Sequence, residues 1–114
     1  MSADSDRVRF VYVTFPHDLD LATFAREALA SRLCACVNVL TSRSIYEWEG
    51  EVKDEPEQVA LFKTSVSKLP ALRAWLERNH PHDCACLATL EPTLNGPFAA
   101  WVEETTGATL RPIE

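Results

Sequence analysis

The chain has 114 residues, 46% of them apolar and 25% charged, with a formal net charge of −6, which predicts one globular domain over residues 1–114. The acidic balance lacks the basic face that nucleic-acid phosphates require, and no segment approaches the roughly 18 apolar residues of a membrane helix. Residues 1–6 are polar, resemble no secretory signal and are expected to be disordered. The sequence therefore predicts a cytoplasmic protein with reduced cysteines, without nucleic-acid or membrane partners.

The first strand and first helix are predicted by their different periodicities. Arg7–Thr14 carries apolar residues on both faces, as a central strand does, and Pro16 ends it because proline has no N–H for the sheet. A single apolar stripe of 3.6-residue period then predicts a helix from about Asp18 to Leu33. Asp18 and Asp20 lie at its start, where carboxylates cap free N–H groups.

Two further strands are predicted to form a long hairpin that turns at Gly50. The first, Ala35–Glu49, is interrupted by the polar run Thr41–Ser44, which predicts a bent or bulged strand. The second, Glu51–Thr64, contains Pro56, so its outer part is expected to be an edge or irregular.

The remaining elements are a second helix, a fourth strand and a final helix. Ser67 is predicted to cap a helix that ends at Asn79, with Pro70 in the first turn, where its missing N–H does no harm. Cys84–Leu90 is predicted as the fourth strand and Gly96–Thr106 as the last helix. The order β-α-β-β-α-β plus a C-terminal helix predicts an α/β (α+β) fold, the ferredoxin-like split βαβ, with an antiparallel sheet. Both long helices would cover one sheet face, so the bare face and open edges predict self-assembly.

Several short motifs occur in a fixed order along the chain: Ala35–Cys36–Val37–Asn38, Tyr46-x-Trp48-x-Gly50, Glu55-x-Glu57, Lys63–Thr64 and His80–Pro81. This succession, over about Val8–Gly107, resembles the CutA family of divalent-cation-tolerance proteins. The resemblance implies a homotrimer joined through sheet edges, a shape similar to PII signalling proteins, and binding of copper or other divalent metals. It implies no catalytic activity.

The sequence departs from the family pattern at two places that concern metal binding. Some members carry a cysteine on the first strand, proposed as a copper ligand, where this chain has Val13. In the segment after His80–Pro81, His82 replaces a tyrosine and Cys86 replaces a glutamate. These replacements shift the available ligands toward softer atoms.

The cysteines form two Cys-x-Cys pairs, Cys34/Cys36 and Cys84/Cys86. On a strand, two such side chains share a face with Cα atoms roughly 6.6 Å apart, so a local disulfide is not expected. A metal between thiolates is easier, and thiolate favours Cu(I) or Zn. The alternative is that these cysteines are simply buried apolar side chains. Strands two and four lie on opposite edges of this fold, so the two pairs do not meet within one chain. The hypothesis is that they meet across a subunit boundary of an edge-joined trimer.

The histidines complete the candidate metal ligands, which are Cys36, His80, His82 and Cys86. His80 is favoured as a cation that closes the preceding helix. For His82, which lies beside Asp83, ligation of a metal and a structural role stay open.

A second candidate site would bind a small anion in a cleft between subunits. It consists of Trp48, Lys63, Asp83 and Trp101. The alternative is that the two tryptophans belong to the core of an interface, where aromatic residues are enriched.

Among enzyme signatures, a glycine-rich phosphate loop, a nucleophile elbow and a metalloprotease helix motif are all missing from the sequence. The sequence therefore predicts a trimeric cytosolic protein, not an enzyme, that binds divalent or soft metal ions, copper above all, and takes part in the response to metals. It requires no other cofactor. The alternative is a PII-like signalling or scaffold trimer that binds a small molecule or a partner protein without metal.

Overall fold

A computed structural model describes residues 4–107 of the chain. Its elements are a 3-10 helix (Asp4–Arg7), β1 (Val8–Pro16), α1 (Leu21–Ala30), β2 (Cys36–Trp48), β3 (Glu51–Ser65), α2 (Leu69–Asn79), β4 (Leu87–Leu90) and α3 (Gly96–Thr105). Of the six N-terminal residues predicted to be disordered, residues 1–3 lie outside the described part, and residues 4–6 belong to the 3-10 helix. No helix in this described part is long and apolar enough to cross a membrane.

The four strands form one antiparallel sheet in the order β2-β3-β1-β4. β1 is central, as its two apolar faces predicted, and β2 and β4 are the edges. The ferredoxin-like prediction is confirmed.

The hairpin of β2 and β3 extends far beyond the rest of the sheet. Its register runs from Cys36 opposite Lys63 to Trp48 opposite Glu51 without a slip, so the predicted bulge is wrong. β1 ends at Pro16, opposite Glu57, and in the described part of the chain no third strand pairs with the hairpin beyond that point. The polar run in β2 is tolerated because all four of its residues reach water on this edge strand, and Arg43 and Ser44 lie beyond the end of β1. Pro56 lies in this two-stranded part, as predicted.

The sequence predicted that one sheet face would be bare. In the structure both faces carry helices, so the prediction is wrong for the part of that face that α3 covers. α1 and α2 cover the face formed by Val11, Val13, Phe15, Ala60 and Phe62. α3 packs on the opposite face at the start of β1, where Ala99 and Val102 join Val8 and Ala35. The long hairpin lies at the other end of the sheet.

Several element ends differ from the prediction because local hydrogen bonds decide them. Asp20, not Asp18, caps α1 by accepting the Thr23 N–H. The Thr23 hydroxyl also donates to Asp20, and this side-chain bond, followed by the N–H bond, lowers the pKa of Asp20. The N-cap of α2 is Lys68, not Ser67. The fourth strand begins at Leu87, because residues 83–84 form a turn.

Candidate functional site

The part of the β2–β3 hairpin beyond the end of β1, residues 43–56, is called the outer hairpin. A cleft lies between it and residues 81–86, which we call the 81–86 loop. Its volume is about 390 Å³, within the range of small-molecule sites. An adjoining hollow of about 380 Å³ continues along the sheet to Ser44 and Cys86. The cleft is lined by Thr14, Tyr46, Trp48, Glu57, His80, His82, Asp83, Cys84 and Ala85.

The hairpin wall of the cleft follows from strand alternation. Ser44, Tyr46 and Trp48 are two residues apart on β2 and share one face, and the cross-strand register places Glu55 and Glu57 on that face too. The Tyr46 hydroxyl donates to Glu55, and the Ser44 hydroxyl donates to Glu57. The bond to Glu55 is the first cause that raises the pKa of Tyr46; burial and the charges of both glutamates add to it. This wall is therefore negatively charged.

His80 fixes the start of the 81–86 loop. Its backbone N–H donates to the Leu76 carbonyl and ends α2. Its ring stacks on Phe15, with centroids 4.7 Å apart. Its Nε2–H donates to the Thr14 carbonyl at 2.7 Å, and its Nδ1 accepts the His82 backbone N–H at 3.0 Å.

Both ring nitrogens of His80 are thus occupied within the protein. This arrangement requires the neutral ring with the proton on Nε2. His80 is therefore not positioned as a metal ligand, which corrects the predicted ligand set. His80 does close α2, as predicted, but it does so through its backbone N–H to the Leu76 carbonyl. The prediction that a cationic ring does the capping is wrong, because the ring bonds to Thr14 and His82 instead.

The loop itself presents soft and hard ligand atoms to the cleft. Cys84 and Cys86 are free, exposed thiols, and His82 is exposed with its ring centroid 5.7 Å from that of His80. Neither cysteine is on a strand, so the same-face geometry predicted for this pair does not apply. Asp83 lies between these ligands in the chain and lines the same cleft.

The first cysteine pair is located elsewhere. Cys34 is 1% exposed and belongs to the core. Burial, followed by the charge of Cys36, raises the pKa of the Cys34 thiol to about 12. Cys34 is thus the buried apolar side chain of the alternative interpretation. Cys36 begins β2 on the edge opposite to β4, so one protomer does not bring it to Cys86, in agreement with the predicted strand order.

Among residues 4–107, no group of three or more histidine, cysteine, aspartate or glutamate side chains is close enough to hold a metal ion. A closed four-ligand site of the structural zinc type is therefore not preformed within this part of one protomer. The loop supplies a partial ligand set.

The four residues predicted to bind an anion are divided between two places. The Lys63 Nζ lies 5.2 Å from the Phe10 ring centroid and 5.4 Å from that of Phe98, which is 5.6 Å from the Trp101 ring. Trp48 and Asp83 line the cleft instead. Trp48 pairs with Glu51, twelve residues along β3 from Lys63, which at the rise of a strand is roughly 40 Å.

The sequence analysis missed part of this site. Cys84 was left out of the proposed ligands, and Thr14, Tyr46 and Glu57 were not assigned to a cleft. The signal was present, because Tyr46-x-Trp48 and Glu55-x-Glu57 both have the two-residue spacing that places side chains on one strand face.

Comparison with known proteins identifies the family. The family model described as CutA1 divalent ion tolerance protein matches residues 9–105. Protein CutA of Mus musculus is 34% identical over 101 residues, covering 87% of this chain and 57% of the mouse protein. The divalent-cation tolerance protein CutA of Thermococcus kodakarensis is 33% identical over 93 residues, covering 81% of this chain and 89% of that protein.

A solved structure supports the same assignment. The periplasmic divalent cation tolerance protein CutA from Archaeoglobus fulgidus superimposes with a TM-score of 0.80 at 26% identity, covering 87% of this chain and 98% of that one. The chain therefore belongs to the CutA1 divalent ion tolerance protein family. It spans little more than half the length of the mammalian relatives it matches, at 57% of the mouse protein and 56% of the human one.

Proposed function

We propose that this protein is a homotrimeric metal-binding protein that binds soft metal ions, copper above all, through Cys84, Cys86 and His82. The observation that carries the proposal is the exposure of both thiols beside an imidazole on one short loop. Thiolate and imidazole together favour copper, and thiolate favours Cu(I) in particular. In this proposal the protein is a binding protein and not an enzyme.

The incomplete ligand set supports a site that a second subunit completes. Cys84, Cys86 and His82 are not close enough together in the described part of one protomer to hold an ion as they stand. In this proposal the 81–86 loop therefore adjusts around the ion, and a further ligand comes from a second subunit. In a trimer joined through sheet edges, β2 of one subunit would lie beside β4 of the next. Cys36, at the start of β2, is then the candidate for the missing ligand.

The edge strand β2 supports the trimer. Within residues 4–107 no strand pairs with its outer side over its thirteen residues, and an exposed edge of this length recruits another chain. Five large apolar side chains on this strand are exposed: Val39, Leu40, Ile45, Tyr46 and Trp48. Burial of these side chains between subunits would remove an aggregation-prone surface.

A cytoplasmic location is part of the proposal because it keeps the thiols reduced and able to bind metal. The Archaeoglobus relative is described as periplasmic, so the location is to be measured by cell fractionation. Recovery of this protein with periplasmic markers would contradict this part.

A second candidate function is the binding of a small molecule without metal, as in a PII-like signalling trimer. The specific observation in its favour is the cleft of about 390 Å³, in which Trp48 and Tyr46 offer aromatic surface and Glu57 and Asp83 offer charge. This function needs no thiol, so substitution of Cys84 and Cys86 separates the two candidates.

The fluorescence of Trp48 provides the test, because Trp48 and Cys84 line the same cleft. Reduced protein is titrated with Cu(I) under anaerobic conditions. We expect saturable quenching that Trp48→Phe removes and that the double variant Cys84→Ser, Cys86→Ser abolishes. Trp101→Phe is the matched control, since Trp101 lies on α3 at the other end of the sheet. Equal quenching in the double variant would refute binding at the loop.

A further inference from the structure

Cys84 and Cys86 lie in a segment whose geometry differs from that of a strand. On a strand, the two Cβ atoms would point the same way with Cα atoms roughly 6.6 Å apart, near the limit for a disulfide. Residues 83–84 instead form a turn, and β4 begins only at Leu87. Sheet pairing therefore does not hold these two residues in the extended geometry that argued against a bond between their sulfur atoms.

The ends of this segment are anchored, so the two cysteines stay close to each other. His80 holds the first end through its hydrogen bonds to Thr14 and His82. At the other end, Leu87 pairs with Val13 in the sheet. Only the short stretch between these anchors must adjust when the two sulfur atoms approach each other.

Exposure separates this pair from the other two cysteines. Cys84 and Cys86 are exposed, whereas Cys34 is buried and Cys36 is half-buried on a strand. Exchange reactions require a thiolate that a small disulfide can reach. Cys34 meets neither condition, because it is buried and its pKa is raised to about 12.

We propose that Cys84 and Cys86 form a reversible intramolecular disulfide by exchange with a small disulfide of the glutathione type. One thiolate attacks the small disulfide, forms a mixed disulfide and releases one small thiol. The second thiolate attacks the protein sulfur of that mixed disulfide and releases the other small thiol. The protein loses two electrons and two protons, and the small disulfide gains them.

The consequence of this bond rests on the proposed metal-binding function. Both thiolate ligands are consumed in the disulfide, so the oxidised loop retains only His82 and no longer suits a soft ion. The disulfide would thus release copper under oxidising conditions and restore binding on reduction. An exposed disulfide of this kind is more easily reduced than a buried structural one.

The exchange is tested on metal-free protein treated with a chelator and then with glutathione buffers of increasing oxidised fraction. We expect a monomer lighter by about 2 Da, in which titratable thiols of the denatured chain fall from four to two. Reduced glutathione should reverse the change. Cys36→Ser is the control and should lose two thiols as well.

The single variants Cys84→Ser and Cys86→Ser should stop at the mixed disulfide, with a gain of about 305 Da for one glutathione. A wild-type chain that stops at the mixed disulfide, or that forms disulfide-linked dimers, would overturn the proposal. So would loss of two thiols in Cys84→Ser.

Copper binding is then measured on the reduced and oxidised proteins. Copper bound only by the reduced form supports the switch, and copper bound equally by both forms contradicts it. A disulfide that forms in a protein whose reduced form binds no copper refutes the metal function alone. Copper binding without any disulfide refutes the exchange alone.

Discussion

Substitution of His80 tests how the 81–86 loop is held in place. His80→Ala removes two side-chain hydrogen bonds, at 2.7 and 3.0 Å, and a ring stack on Phe15. With about 0.5–1.5 kcal/mol for each hydrogen bond and about 0.5–1.5 kcal/mol for the aromatic pair, we expect the free energy of unfolding to fall by about 1.5–4.5 kcal/mol. His80→Phe keeps the stack and should lose less.

The assay is urea unfolding followed by circular dichroism at a fixed protein concentration, since the stability of an oligomer depends on concentration. Limited proteolysis should show faster cleavage within residues 81–86 in both variants. His82→Ala is the matched control, because its exposed ring makes no side-chain hydrogen bond in the described structure and its loss should change stability by under about 0.5 kcal/mol. Equal effects of His80→Ala and His82→Ala would refute the role assigned to His80.

Three further predictions follow from the core, from Cys34 and from the outer hairpin. Phe62→Ala should lower the free energy of unfolding by about 3–5 kcal/mol in urea melts, because the side chain is fully buried in the core. The folded-state pKa of Cys34 lies above its ordinary 9.0, at about 12, so its contribution to stability is complete below pH 9 and is lost as pH rises toward 12. Cys34→Ala should therefore show a shallower alkaline loss of stability in melts at a series of pH values; a curve parallel to the wild type would contradict this. Ile45→Glu should shift the sedimentation coefficient toward a monomer, since Ile45 is 64% exposed on the open edge strand, whereas Glu47→Gln on the same strand should leave it unchanged.

The fold was predictable because each element carries a strong local signal. The two apolar faces of β1 identified the central strand, and the continuous apolar run Val59–Phe62 identified the buried part of β3, which pairs with β1. The features that were predicted wrongly depend on contacts between distant parts of the chain. The polar run Thr41–Ser44 suggested a bulge. The strand order, which makes β2 an edge strand, and the protrusion of the hairpin beyond β1 show why it needs none.

The candidate site was predictable only in part, because it depends on contacts between distant segments. His80 was expected to be a cation or a ligand, and nothing local in the sequence reveals that Thr14, 66 residues away, occupies its Nε2. Cys84 and Cys86 were predicted to lie on a strand, yet β4 begins only at Leu87, after a turn at residues 83–84. Lys63 on β3 and Trp48 on β2 lie on the same face of the sheet but at opposite ends of the long hairpin. A pattern of residue types does not show this separation.

X-ray absorption spectroscopy of the copper-loaded, reduced protein tests the central claim most directly, because it identifies the atoms bound to the metal. We expect sulfur ligands in the first coordination shell of the wild type and of Trp101→Phe, and their loss in the double variant Cys84→Ser, Cys86→Ser. A shell of nitrogen and oxygen alone, equal in the wild type and the double variant, would contradict a copper site at the 81–86 loop.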